Sequence, residues 1–497
     1  MSAPSLARKP ISDSAGRHFE ERLWQAAEAL RGHVEPAEYK HIVLAMLFLR
    51  HVTDVDLLRP GEVAPFVVPP SARWGVLRNA AAAERRGAAF GSAVSSLEIA
   101  NESLRGLFAF DIARLDADRA IQLVESMSAI PPNTANASTR DVLGRVYEYF
   151  LAHFASSEGR SGGEYYTPRS VVDLLVEMVQ PFAGTLYDPC CGTGGMFVQS
   201  EAFLLRHGSR PDDLEIIGQE SSPTTWRLAK MNLTLRGMKA DLGSRPADTF
   251  RCDLHEGRRA DFVLANPPFN ARDGGLDRLA GDPRWLFGVP PRNSANFAWL
   301  QHIFSHLKPD GVAGVVLANG SLSSDQAGEG DLRRKMVEAD VVECVVALPS
   351  RLFYGTSIPA CLWLLSPSKT RAGAGHLARQ TLFVDARDRG RTVDRAHADL
   401  GPDDLTAIAC AYRDWRAVDR RFARIDGFAR SASTEEIRRH RYALVPGRYV
   451  GFARRDERGD ACRRALQAEL QPLRARLTDI DAASSRIRRA LEALSRG

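Results

Sequence analysis

Residues 266–269 read Asn-Pro-Pro-Phe and close an apolar run, Phe262-Val263-Leu264-Ala265. This string is suited to handling an exocyclic amine on an aromatic ring. Such an amine is a poor nucleophile, because its lone pair is delocalised into the ring. Two acceptors aimed at its two hydrogens would favour a tetrahedral nitrogen with a localised lone pair. Asn266 can supply a side-chain oxygen and Pro267 its carbonyl. Pro267 and Pro268 fix successive φ angles and keep those acceptors stiff. Phe269 offers a flat face for a base taken out of a stack. No strong general base is required, since a methylated amine loses its proton readily. The bland alternative is a structural Pro-Pro turn, which the position directly after a strand disfavours.

Upstream, a second strand-like run ends in Asp188-Pro189-Cys190-Cys191-Gly192-Thr193-Gly194-Gly195. Gly192 and Gly194 let the backbone turn sharply and approach a ligand closely. A G-x-G alone is weak. Here it follows a strand and an acid and precedes the helix-like Met196–Leu205. The next strand-like run, Leu214–Gly218, leads into Gln219-Glu220, and an acid in that place can bind both ribose hydroxyls of an adenosine. Asp248 precedes the third strand of the pattern. It could accept a hydrogen bond from a cofactor's adenine amine, with Phe250 lining the pocket; Asp253 is a nearby competitor. No Walker A string supports ATP hydrolysis. The two strings together predict methyl transfer from S-adenosyl-L-methionine (SAM) to the N6 of adenine in DNA.

The rest of the chain must position those strings. At 497 residues it has room for two or three domains, and 44% hydrophobic and 26% charged residues are ordinary for a globular protein. No apolar run approaches the roughly 20 residues of a membrane span, and the opening MSAPSLARKPISDSAG lacks a secretory h-region. The seven cysteines contain no C-x-x-C pair. That predicts reduced thiols in a cytoplasmic protein, with no disulfide framework and no metal site. Net charge is +5, but residues 411–497 carry 21 Arg and no Lys against 12 acids. A basic end beside a near-neutral body fits a polyanion or an acidic protein partner, unless those arginines are merely solvated.

Residues 1–15 read as a disordered arm and 16–158 as a helical domain, with apolar residues at helical spacing such as Leu23, Ala27, Leu30, Ile42, Met46 and Leu49. The connector Ser156–Gly163 ends it. Across 159–370, strand-like runs (Thr185–Asp188, Leu214–Gly218, Phe262–Ala265, Val312–Ala318, Val341–Leu348, Ile358–Leu365) alternate with helices such as Pro223–Arg236 and Asn296–Leu307. This predicts a doubly wound, Rossmann-like α/β domain with a mostly parallel sheet ending near Leu365 and its site at the carboxyl ends of the strands. Residues 371–459 read as an extension of that domain, and 460–497 as a helical tail. In the tail, Leu466, Leu470, Leu473, Leu477, Ile480, Ser484, Ile487, Leu491 and Leu494 make a heptad seam that suits a partner helix, with Pro472 kinking or restarting it.

With these motifs in view, the chain resembles the modification subunit of type I restriction–modification systems, an adenine-N6 DNA methyltransferase family. LWQAAEALRG and EYKHIVLAMLFLRHVTD (Leu23–Asp54) resemble its N-terminal helical domain, and GGEYYTPRSVVDLLVEMV (Gly162–Val179) the stretch that closes over SAM. The segments from Ala295 to Ser324 and from Gly328 to Leu365 resemble its later sheet, and YALVPGRYVG (Tyr442–Gly451) its C-terminal segment. The resemblance implies SAM contacts from Gly163, Glu164, Tyr165, Tyr166, Thr167 and Pro168, from Gly192, Thr193 and Gly194 after Asp188, and from Glu220. It departs at Tyr165, where the family often has Phe, and at the short, Ala-rich stretch 60–91, which bears on N-terminal DNA contacts. It also implies that DNA sequence choice comes from a separate specificity subunit docked on the heptads. The implied assembly, on double-stranded DNA, has two copies of this chain and one specificity subunit, with a restriction subunit as an optional further member. The alternatives are methylation of RNA adenine or protein glutamine, which the same Asn-Pro-Pro-aromatic chemistry serves, and a non-catalytic assembly factor that binds SAM or DNA.

Overall fold

The structure is a computed structural model that describes residues 36–53, 66–81, 86–108, 117–129, 144, 146–151, 167–269, 281–292, 294–353, 356, 358–369, 375–393, 397–419 and 422–452. Its strands are β1 (Gly184–Asp188), β2 (Leu214–Gly218), β3 (Ala240–Asp241), β4 (Ala260–Ala265), β5 (Leu307–Ala318), β6 (Val342–Ala347), β7 (Ala360–Leu365), β8 (Gln380–Asp385), β9 (Arg391–Thr392), β10 (Ala398–Asp399) and β11 (Ala429–Ser433). Nine of them form one sheet in the order β11-β8-β6-β7-β5-β4-β1-β2-β3, and β9 and β10 pair separately. β3, β2, β1, β4 and β5 run parallel. β7 is inserted antiparallel between β5 and β6, and β11 is antiparallel to β8.

Alternation along each strand builds two cores, one per face of the sheet. Leu186 and Leu264 point to one face, where they meet α-helical residues such as Val171, Phe197 and Leu233. Tyr187, Val263 and Ala265 point to the other, against Phe297, Leu300 and Met336. The helices packed with the sheet are α5 (Arg169–Val179), which precedes β1, and then α6 (Gly195–Arg206), α7 (Pro223–Leu235), α8 (Asn296–Ser305), α9 (Glu329–Glu338), α10 (Pro402–Arg416) and α11 (Thr434–Arg439). They follow α1 (Pro36–Thr53), α2 (Trp74–Ala81), α3 (Arg86–Ala100) and α4 (Ala117–Ser128). Among the described residues before 167 there are only helices and turns. Phe48, Trp74 and Leu97 share a core with Leu228, Met231 and Leu235 of α7. The N-terminal helices are therefore seated on the helix that follows β2.

The chain goes from β1 outward to β2 and β3, then returns to place β4 on the other side of β1. That reversal is a topological switch point at the carboxyl ends of β1 and β4, the usual ligand position in such sheets. Two details differ from the expectation. The sheet does not end near Leu365; β8 and β11 extend it, and β11 escaped notice because Ala-Arg-Ser-Ala-Ser holds no large apolar side chain. The two-residue β3 also adds a strand, so Asp248 precedes the fourth strand. The expected arm, the Ser156–Gly163 connector and the heptad tail lie outside the described residues.

Gly218 ends β2 where a side chain would collide. A Cβ there would lie 2.9 Å from Phe197 Cζ and 3.0 Å from Leu242 Cδ2. Gly218→Val is expected to cost about 1–3 kcal/mol of stability through overpacking, measured by urea unfolding; an unchanged midpoint would show that Phe197 and Leu242 yield freely.

Candidate functional site at the carboxyl end of the sheet

Asp188 is the last residue of β1 and pairs in register with Gly218 of β2. Its Oδ1 accepts a hydrogen bond from the Cys190 amide at 3.0 Å, which starts the turn. The Gln219 amide donates to the Asp188 carbonyl, the Cys191 amide donates back to the Gln219 carbonyl, and the Gly194 amide donates to the Cys191 carbonyl. The turn requires positive φ at Gly192 (55°) and Gly194 (83°), where β-carbons are disfavoured. A Cβ on Gly192 would meet nothing within 4 Å, so this backbone borders open space into which a ligand can come close. Gly194 then caps α6, and Asn232 Nδ2 holds the Thr193 carbonyl at 2.9 Å.

Glu220 closes the loop from the β2 side. Its Oε2 accepts from the Gly192 amide at 3.1 Å, and its Oε1 accepts from the Ser222 amide at 2.8 Å. Ser221 Oγ adds a third donor, to Oε1 at 3.4 Å. Gln219, fully buried, holds the next loop. Its Nε2 donates to the carbonyls of Ala247 and Cys252, and its Oε1 accepts from the Leu254 amide. Thr249 Oγ1 ties the same loop to the Pro189 carbonyl at 2.6 Å. Asp248 Oδ1 accepts from the amides of Phe250 and Arg251, and its side chain is 43% exposed. The competitor Asp253 is engaged: His306 Nε2 lies 3.1 Å from its carboxylate. Burial raises the Asp253 carboxyl, but its polar partners, led by the hydrogen bond with His306, outweigh it and hold the group low, at about 2. Phe250 is buried against Trp285 and Trp299, with ring centroids 6.2 and 4.4 Å away.

Asn266 follows β4, which lies beside β1. Its Nδ2 donates to Thr167 Oγ1 at 2.8 Å, while its Oδ1 is buried without a hydrogen-bond partner. A buried amide oxygen with no donor is costly, and an arriving N–H would satisfy it. Phe269 is not an open platform. It is 7% exposed and stands edge-on to Phe353 at 5.5 Å, so a base stacked on it would have to separate that pair. Pro267 is buried and Pro268 exposed. Thr167 and Pro168 lead into α5, with the Pro168 carbonyl accepting from the amides of Val171 and Val172. Gly163, Glu164, Tyr165 and Tyr166 lie outside the described residues.

Thus Asp188, Gly192, Thr193, Gly194 and Glu220 are joined in one hydrogen-bonded turn, with Asp248 and Phe250 on the adjoining loop. Asn266 meets Thr167 at the neighbouring strand end. Sequence reasoning missed Gln219, Asn232 and Arg284, which hold these loops through backbone carbonyls. Gln219 stood inside the strand-end string beside Glu220, which was its only signal.

The fold is a doubly wound α/β domain whose two strand-end loops, after β1 and after β4, lie side by side. The sequence profile of the N-6 DNA methylase family matches residues 138–458, and that of the HsdM N-terminal domain matches residues 19–127. The HindI type I restriction enzyme methylase subunit of Haemophilus influenzae is 40% identical over 412 residues, spanning 79% of this chain and 91% of the relative. The MjaIX methylase subunit of Methanocaldococcus jannaschii is 32% identical over 481 residues, 88% of this chain and 85% of the relative. The crystal structure of a type I restriction–modification methyltransferase subunit from Streptococcus thermophilus superposes with a TM-score of 0.76 at 25% identity, covering 88% of this chain and 99% of that one. The chain belongs to the N-6 DNA methylase family, among the type I methylase subunits. It is an adenine-specific DNA methyltransferase whose methyl donor is SAM. No helix among the described residues is long and apolar enough to cross a membrane.

Burial pushes the Asp188 carboxyl up to about 7, with the Glu220 charge adding and the Cys190 amide opposing. A carboxyl raised in the folded state binds its proton more tightly than in the unfolded chain. Its contribution to folding is full below the unfolded value and is lost as pH rises through about 7. Asp188→Asn removes that titration. In the cofactor-free protein, the melting temperature of the variant relative to wild type should therefore rise between about pH 5 and pH 8; a difference that stays flat across this window would contradict the raised carboxyl.

Proposed function

We propose that this chain is the modification subunit of a type I complex in which Asn266 and the Pro267 carbonyl hold the target adenine amine and the Asp188–Glu220 turn holds SAM. The observation that carries this is the Asn266 amide. One end is anchored on Thr167 and the other is a buried acceptor without a donor. Such an acceptor complements the N–H of an extruded adenine, and Pro267 and Pro268 keep it stiff. Phe269 takes the base once it parts from Phe353.

SAM supplies an electrophilic methyl group when bound. The residues present fit it: Gly192 offers a backbone with space above it, and the Glu220 carboxylate beside that backbone takes the ribose hydroxyls. Asp248, exposed and on the loop held by Gln219, takes the adenine amine, with Phe250 forming the apolar wall. Thr193 and Gly194 complete the turn, Asp188 starts it, and Gly163 through Pro168 close over the cofactor. In this proposal Thr167 also orients Asn266.

The wider assembly belongs to the same proposal. Residues 16–158 form an all-helical domain, and residues 460–497 dock on a specificity subunit that selects the DNA sequence. A second copy of this chain completes the methylating complex, a restriction subunit can join it, and the whole acts in the cytoplasm. The type I relatives favour this reading over RNA or protein acceptors and over a non-catalytic factor.

Asn266→Ala should lower methyl transfer to DNA by on the order of 10²-fold or more, the usual cost of one oriented transition-state partner. SAM affinity should stay near wild type. The check is tritiated-SAM transfer by the chain with its specificity subunit, alongside calorimetry; near-wild-type turnover would remove Asn266 from the chemistry. Glu220→Ala should weaken SAM binding about ten- to a hundredfold, for a loss of roughly 1.5–3 kcal/mol at a charged acceptor. Glu220→Gln, which keeps an oxygen for the Gly192 amide, should recover part of it. Unchanged affinity in both variants would displace Glu220 from the ribose.

A further inference from the structure

The loop that carries Asp248 and Phe250, held from the β2 side by Gln219, is also held by Arg284. A guanidinium has five N–H donors in a fixed plane, and here each has a partner. Nε donates to Asp282 Oδ1 at 2.8 Å and Nη2 to Asp282 Oδ2 at 2.6 Å. Nη1 donates to the Thr249 carbonyl at 2.9 Å and Nη2 to the Phe250 carbonyl at 2.7 Å. The remaining Nη1 hydrogen faces His302 Nδ1 at 3.2 Å. Arginine only donates, so His302 Nδ1 accepts and its proton sits on Nε2, where it meets the Tyr187 hydroxyl at 3.1 Å. The cation is thus fixed by a buried carboxylate and a neutral imidazole, and two of its donors hold consecutive carbonyls of the loop.

That loop transmits the fixation. Phe250 is gripped at its carbonyl by Arg284 and on its ring by Trp285 and Trp299. Its amide donates to Asp248 Oδ1. Moving the Phe250 backbone would therefore swing the Asp248 carboxylate. We propose that Arg284 is a positioning residue that presets the adenine end of the SAM pocket, and that it joins this pocket to the segment following the Asn266 string. The proposal rests on the assignment of Asp248 and Phe250 to the cofactor's adenine. Lysine cannot replace arginine here, because an ammonium on a flexible stem cannot span Asp282 and both carbonyls at once.

The test uses the full chain. Arg284→Lys keeps the charge beside Asp282, and calorimetry with SAM should show affinity reduced on the order of tenfold, about the worth of one or two neutral hydrogen bonds. In the assembled enzyme, the KM for SAM should rise by a larger factor than kcat falls. If Arg284→Lys melts lower yet binds SAM like wild type, Arg284 only stabilises the fold and the proposal is overturned. Hydrogen exchange on the wild-type chain gives an answer that does not depend on the variant folding. Adding SAM should protect the amides of residues 249–252 and 284–288 together. Protection of the first set without the second would overturn the coupling. SAM binding with neither set protected would overturn the adenine assignment beneath it.

Discussion

Glu220 accepts hydrogen bonds from the Gly192 amide through one oxygen and from the Ser222 amide through the other. It thereby ties the loop after β1 to the start of α7 after β2. The rest of the site hangs on this clasp. Gly192 needs its left-handed conformation to reach the carboxylate, and Gly194 needs its own to begin α6 immediately afterwards. The α7 start, fixed by the Ser222 cap and by Pro223, places Asn232 where it holds the Thr193 carbonyl. The same helix carries Leu228, Met231 and Leu235 into the N-terminal core. One carboxylate thus ties the Gly192–Gly194 turn to the helix on which the N-terminal helices rest.

The second constraint is polar and lies one loop further on. Gln219, Thr249 and Arg284 satisfy carbonyls that would otherwise be left without partners in a buried or half-buried loop. Buried carbonyls without donors are expensive, so these three side chains do more than decorate the pocket. They allow an irregular segment to sit rigidly at a strand end, where a helix or strand would have satisfied itself. The Asn266 amide oxygen, by contrast, has no hydrogen-bond partner, as is true of Asn232 Oδ1 and Trp299 Nε1 nearby.

Much of this was legible in the sequence. Apart from the two-residue β3, the strands up to β7 follow from apolar runs bounded by turn residues, and Leu214–Gly218 was placed to the residue. The glycine turn, Glu220 and the Asn-Pro-Pro-Phe string follow from local chemistry. What escaped was set by tertiary contact. β8 joins the sheet along β6 and β11 along β8, although Ala429–Ser433 alone does not resemble a strand. Arg284 carries no local signal, since its partners Thr249, Phe250 and His302 are distant in sequence. Phe269 was legible as an aromatic face, yet its packing against Phe353 depends on a residue beyond β6.

The most direct test of the account is a crystal structure of the full chain bound to S-adenosylhomocysteine, the product of the methyl donor. The account places the ribose hydroxyls on the Glu220 carboxylate, the adenine amine on Asp248 with the ring against Phe250, and the thioether sulfur facing Asn266. A cofactor bound at those strand ends with its ribose away from Glu220, or bound elsewhere on the sheet, would contradict it.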